Sequence, residues 1–252
     1  MNHTPNDIPK GLPASLSLVG KNALVTGSSR GIGAQTAIAL AERGANVAVH
    51  YTSESSASKA SKVASQIQSL GRKTCVIRCD LEDPDCGQKI ILEALQGLET
   101  TQLDILVNNA AIPGPHGAEN PLDPAQFDHI MRINVRAPML LLTAAIPHLS
   151  PTSNRIINIS SIQSRINIPG FSLYSASKSA LDSLTRTWAK EIALKHHCTV
   201  NGVLVGPTDA PDAPQSAARN RAREMPTAEK RLGTMEDVCE VVCWLASESS
   251  RW

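Results

Sequence analysis

Thr26-Gly27-Ser28-Ser29-Arg30-Gly31-Ile32-Gly33 is the stretch from which the fold can be read. It follows a short apolar run, Ala23–Thr26, and opens onto a helical pattern, Gly33–Arg43. Gly27 can take the tight turn that leaves a strand. Gly31 and Gly33 let the backbone approach a ligand and let the helix pack close to a sheet. A helix start offers unpaired N–H groups and the positive end of its dipole, which suits a pyrophosphate. Three glycines also fit an ordinary strand-to-helix turn. The dinucleotide reading gains weight from the position of this turn, at the first junction of a repeating strand–helix pattern.

That pattern continues outward. Strand-like apolar runs fall at Asn46–His50, Lys73–Cys79, Asp104–Val107, Arg155–Ile159 and Thr199–Val205. Helix-like segments fall at Ser55–Leu70, Asp85–Leu98, Pro124–Leu149, Tyr174–Lys195 and Met235–Ala246, with a polar stretch from Pro207 to Lys230. Apolar residues at successive positions mark strands buried on both faces. The alternation predicts an α/β fold: a single, Rossmann-type, doubly wound parallel sheet with right-handed crossovers and helices on both faces. Pro138 predicts a kink within Pro124–Leu149. Residues 1–15 read as a flexible lead-in, and residues 16–252 as one dinucleotide-binding and catalytic domain.

Hydrophobic residues make up 42% of the 252 and aromatics only 3%, so the core must be aliphatic. A net charge of +1 gives no reason to expect nucleic acid or an anionic membrane as partner. The cluster Arg219, Arg221, Arg223 reads as a short solvated helix face. The six cysteines form no paired Cys-x-x-Cys set, so no metal site is expected and they read as small core residues. No apolar run approaches a membrane span and no signal-peptide core is visible, which gives a cytoplasmic expectation.

Tyr174 and Lys178 stand four apart on a predicted helix, which stacks them on one face. An ammonium beside a phenol favours the phenolate and lowers its pKa, so the tyrosine can exchange protons near neutrality. On their own, the two would pass for surface residues. Ser161, however, lies just after the strand Arg155–Ile159, at the carboxyl end where ligands of parallel sheets bind. Its hydroxyl could hydrogen-bond a carbonyl oxygen beside Tyr174. Asn134, in Ile133-Asn134-Val135, reads on its own as a polar residue on a solvated face.

With its Gly-x-x-x-Gly-x-Gly spacing the opening octapeptide resembles the cofactor fingerprint of the short-chain dehydrogenase/reductase family, and the resemblance runs from about Leu16 to Trp252. It implies a catalytic set of Asn134, Ser161, Tyr174 and Lys178, with Asn134 holding a water in a proton relay. It implies cofactor contacts from Gly27, Ser29, Arg30, Gly31, Ile32 and Gly33, and from Asp80 and Leu81 after the third strand. Further contacts are implied from Asn108 and Ala110 in Asn108-Asn109-Ala110-Ala111, from Tyr174 and Lys178, and from Gly206 and Thr208. The second strand ends at Tyr51, where NAD-preferring relatives carry an acid. With Arg30, Thr52 and Ser53 nearby, this points to NADP. The chain departs from the family at Val205 and Ala210, where Pro and Thr are usual, and at its end, where the usual seventh strand is expected to be missing.

Within the family the chain resembles 3-oxoacyl carrier-protein reductases and hydroxynaphthalene-type reductases. That implies reduction of a carbonyl compound by hydride transfer, with a homodimer or homotetramer as the assembly. The pocket candidates Ile162, Gln163, Arg165, Phe171 and the Pro207–Met225 segment are mostly neutral, which suits a medium-sized apolar ketone. Alcohol oxidation with either cofactor, cofactor-assisted isomerisation or cyclisation, and a non-catalytic NADP-binding sensor or scaffold remain open on sequence alone.

Overall fold

The computed structural model describes residues 11–209 and 227–251. Six parallel strands form one sheet in the order β3-β2-β1-β4-β5-β6. They are β1 (Asn22–Val25), β2 (Asn46–Tyr51), β3 (Thr74–Arg78), β4 (Ile105–Asn108), β5 (Asn154–Ser161) and β6 (Cys198–Val205). The chain builds outward from β1 to β3, then returns to pair β4 on the other side of β1. Strand order therefore reverses between β1 and β4, and a crevice opens there at the carboxyl ends.

Alternate residues of β1 serve two aliphatic cores, as the strand period requires. Ala23 and Val25 face α1 (Gly31–Glu42), α2 (Ala57–Ser69) and α9 (Met235–Ala246). Leu24 faces α3 (Cys86–Gly97), α5 (Ala137–Ala145) and α7 (Ser172–Glu191). The helix α9 starts on a reciprocal cap. The Thr234 hydroxyl accepts from the Asp237 N–H at 3.1 Å, and the Thr234 N–H donates to Asp237 at 2.7 Å.

Three expectations need correction. The segment predicted as one kinked helix is α4 (Pro124–Met131), a π-helical turn at Arg132–Arg136, α5, and a final 3-10 turn. Pro138 lies in the first turn of α5 and has no N–H to give back to the preceding turn. The backbone responds upstream: the Ala137 N–H reaches back five residues to the Arg132 carbonyl. This same run, Pro124–His148, does have the length and apolar composition of a membrane span. It is nevertheless packed against α3 and α7, and Ile130, Leu141 and Leu142 are core residues. The predicted helix Tyr174–Lys195 begins earlier, at Ser172. It stops at Glu191, and a one-turn α8 (Ala193–His196) follows.

One strand also runs longer than expected. β5 runs on to Ser161, so this serine ends the strand rather than following it. Among the described residues β6 has a neighbour on one side only, as expected for a sheet of six strands.

Candidate active site

The glycine turn joins β1 to α1 at the mouth of the crevice. Gly27 and Gly31 have φ of 63° and 60°, a region that other residues rarely adopt. A Cβ on Gly33 would lie 2.4 Å from Asn109 Nδ2 and 2.5 Å from the Gly27 carbonyl, so only glycine fits there. A Cβ on Gly31 would meet nothing within 4 Å, which leaves the backbone open to a ligand.

The turn is held from below by residues that the motif reading passed over. Asn109 Nδ2 donates to the Thr26 and Gly27 carbonyls at 2.8 and 3.2 Å. The Thr26 hydroxyl accepts from the N–H groups of Asn109 and Ala110, both at 3.0 Å. His50 accepts from the Gly27 N–H on Nδ1 at 3.1 Å, and its Nε2 lies 3.0 Å from the Cys79 carbonyl. The ring is therefore the neutral tautomer with its proton on Nε2. Burial pushes its pKa down to about 4.

A histidine kept neutral by the fold contributes stability that is fully present above its unfolded pKa of about 6.5. That stability is lost as pH falls toward the folded value. The expected result is an acid-side loss of about 3 kcal/mol from this group alone. Denaturant unfolding at about pH 7 and about pH 4.5 should show a smaller pH difference for His50→Asn than for the wild type. An equal difference in both proteins would place the acid sensitivity elsewhere.

A cleft of about 950 Å³ runs from the turn across the sheet. It is lined by Gly27, Ser29, Arg30, Gly31, Ile32 and Gly33, and by Tyr51, Thr52 and Ser53 at the end of β2. Asp80 and Leu81 line it after β3, and Ala110 after β4. Glu82 and His129 also line it and were not anticipated. The His129 ring lies 2.9 Å from the Glu82 carboxylate. The volume, the open backbone at Gly31 and the N-terminus of α1 fit a dinucleotide.

Asn108 does not line the cleft. It is buried and donates from Nδ2 to Asn158 at 2.8 Å, within the sheet. Its neighbour Asn109 is the residue that reaches the glycine turn. Gly206 and Thr208 also lie outside this cleft. Thr208 donates to the Gly206 carbonyl at 3.0 Å and pairs through its backbone with Gly233. Ala210 and the arginine cluster at 219–223 lie outside the described residues.

The second half of the site is built on β5 and α7. Tyr174 lies in the first turn of α7, half-buried, and Lys178 one turn on, 2% exposed. Lys178 Nζ sits 5.7 Å from the Tyr174 ring centroid and donates to the Ile159 carbonyl at 2.7 Å. Ser161, at the end of β5, stands beside the Tyr174 phenol, close enough to draw its pKa down. It also accepts from the Gln163 N–H at 3.2 Å. Three of the four expected catalytic side chains thus converge.

Asn134 occupies the π-helical turn and is buried, against the solvated-face reading. Its amide clasps Ile112 from both sides, accepting from its N–H and donating to its carbonyl, each at 2.9 Å. It also donates to the Ser177 hydroxyl at 3.0 Å. It therefore ties the loop after β4 to α7, between the cleft and the Tyr174–Lys178 pair.

The electrostatics differ from the expectation of a lowered phenol. Burial raises the Tyr174 pKa above its usual value, and the neighbouring Ser161 hydroxyl only partly opposes this. Burial also lowers Lys178 to about 8, opposed by the charge of Asp182. Desolvation acts on both groups and weakens the ammonium that was expected to stabilise a phenolate.

A sheet that reverses order beside a glycine turn, with a dinucleotide-sized cleft and an ionisable Tyr–Lys–Ser group at its carboxyl end, defines a nucleotide-cofactor-dependent oxidoreductase. The model of the short chain dehydrogenase family matches residues 21–221, and the chain belongs to that family. The short-chain dehydrogenase/reductase FrzI of a Cladobotryum species is 40% identical over 94% of this chain and 92% of its own. The hydroxynaphthalene reductase arp2 of Aspergillus fumigatus is 34% identical over 94% and 89%. The landomycin C-6 ketoreductase LanV, solved with bound NADP and rabelomycin, aligns with a TM-score of 0.83 at 34% identity, over 94% and 92% of the two chains.

Proposed function

We propose that this protein reduces a ketone to an alcohol with NADPH, the substrate being a medium-sized and mostly apolar carbonyl compound. The observation that carries the reading is the convergence of Ser161, Tyr174 and Lys178 at the carboxyl end of β5, beside the crevice. Relatives named as hydroxynaphthalene reductase and angucycline ketoreductase support the substrate class.

NADPH bound in the cleft would supply the hydride. Gly31, Ile32 and the start of α1 present N–H groups to its pyrophosphate. Asp80 and Leu81, which line the cleft after β3, would hold its adenine, and Ala110, which lines it after β4, would also contact it. Arg30, Thr52 and Ser53 select its phosphate. Ser161 and Tyr174 donate hydrogen bonds to the substrate carbonyl oxygen, and Tyr174 gives up its proton as negative charge develops there. Lys178 holds positive charge beside the phenol and would hydrogen-bond the cofactor ribose. Asn134, fixed by Ile112 and Ser177, orders the water that returns a proton to Lys178. The same path run backwards oxidises an alcohol. Consumption of NADPH, followed by absorbance against a panel of aryl and polycyclic ketones, tests the reading. No turnover on any of them would overturn it.

The proposal extends to a homodimer through α4–α5 and α7. Along these helices Leu141 and Leu142 are in the core, while Met139 is 42% exposed and Phe127 on α4 is 40% exposed. Light scattering at micromolar concentration should give twice the mass of one chain, and a monomer would refute this. All six cysteines are free, as suits a reducing cytoplasmic location.

A further inference from the structure

One buried charge in this site has no part in the mechanism above. Asp182 lies on α7 one turn beyond Lys178, as Lys178 lies one turn beyond Tyr174, so the three share a face. It is only 5% exposed, and one of its oxygens, Oδ1, has no partner and no contact with solvent. A carboxylate left half-satisfied in a protein interior is costly, and an apolar residue would be easier to accommodate there.

The other oxygen, Oδ2, connects to Ser161. It accepts from the Ser164 hydroxyl at 2.6 Å, and Arg165 Nε stands 3.8 Å away. Both residues lie on α6 (Gln163–Ile166), the short helix that leaves Ser161. The Ser164 hydroxyl is also 2.8 Å from the Ser161 carbonyl, but it has one proton and the carboxylate is the closer, charged acceptor. A second tie, from the Ser179 hydroxyl to the Ser164 carbonyl at 3.2 Å, pins α6 to the same face.

We propose that Asp182 is a positioning residue of this active site. Its carboxylate favours the charged form of Lys178 beneath Tyr174 and, through Ser164, fixes the short helix that holds Ser161 in place. The charged and titratable groups around Lys178 are Tyr174 and Asp182 on its own helix, with Arg165 on α6 reaching it only through Asp182. β5 faces Lys178 with the neutral Ile159 carbonyl, and the π-helical turn contributes the neutral Asn134. Among the described residues, Asp182 is therefore the negative charge that opposes desolvation of the ammonium.

The role of Asp182 in turnover rests on the reductase reading, but its effect on Lys178 can be measured without turnover. The full chain is prepared with lysine enriched in heavy carbon at Cε, and Lys178 is assigned by the signal lost in Lys178→Arg. Its ionisation midpoint is then followed by NMR. In Asp182→Asn the midpoint should fall by about one pH unit, and Asp182→Glu should restore it to within about half a unit of wild type. An unmoved midpoint in a folded Asp182→Asn protein overturns the proposal. Asp182→Ser, which leaves Ser164 a partner, serves where the Asn variant does not fold. If both neutral variants unfold, the residue is structural and the proposal fails. Failure of the reductase reading would show separately, as wild-type protein that does not oxidise NADPH with β-tetralone or the wider ketone panel.

Discussion

Tyr174→Phe should lower kcat for ketone reduction by at least about a thousand-fold, combining the loss of a proton donor with that of a hydrogen bond to the developing oxyanion. The change removes one oxygen and leaves the ring in place, so α7 keeps its packing. Lys178 keeps its bond to the Ile159 carbonyl, and Ser161 loses only its phenol partner. None of the residues lining the cleft is altered. The Kd for NADPH, measured by fluorescence, should therefore stay within about two-fold, since at most one contact to the ribose is lost. Turnover above about one per cent of wild type would move the proton donor elsewhere. Burial holds the phenol pKa high, so proton donation in reduction needs no fine adjustment, and the oxidation direction should demand the more alkaline solution.

Arg30→Ala should weaken NADPH binding by about thirty-fold, the equivalent of about 2 kcal/mol for a charge-assisted bond to phosphate. Binding of NADH should change by no more than about two-fold, since it has no phosphate to lose. Arg30 stands just before α1 in extended conformation and lines the cleft, and among the described residues no carboxylate pairs with it. Across the cleft, β2 ends in Tyr51 rather than an acid, followed by Thr52 and Ser53. The first carboxylate after the strand, Glu54, is taken by Arg78 of β3. Equal loss of both cofactors would make Arg30 a general contact rather than a selector. Wild-type binding of NADH as tight as NADPH would remove the preference altogether.

The parts of this molecule legible from sequence are those fixed by short-range rules. Strands buried on both faces leave runs such as Val47–Val49, and a turn needing positive φ leaves glycine at Gly27 and Gly31. That Tyr174 and Lys178 share a face follows from helical spacing, while their choice as a pair, and that of Ser161 over the adjacent Ser160, rests on the family resemblance. What could not be read was set by contacts distant along the chain. Asn108 and Asn109 are alike in chemistry, and only the pleat decides that one is turned toward Asn158 and the other toward the glycine turn. His50 in Val47-Ala48-Val49-His50-Tyr51 reads as an ordinary strand residue, because its partners, Gly27 and Cys79, are brought to it by the sheet. The opposite signs of charge and burial at Lys178 and Tyr174 could be anticipated. Their balance depends on how deeply α7 sits, and no spacing records that.

The π-helical turn at Arg132–Arg136 holds one residue more than an α-helix would use for the same rise. Each residue of an α-helix advances its phase by about 100°. Deleting a single residue from this turn would close it to α-helical spacing, leave the segments on either side in register, and turn Asn134 within the turn by up to that angle. Asn134 could then no longer meet both the N–H and the carbonyl of Ile112, even with every catalytic side chain still encoded. The site thus depends on a count of residues as well as on their kinds. A chain one residue shorter here could preserve the sheet, the glycine turn and the Tyr174–Lys178 pair, yet have its proton relay out of phase.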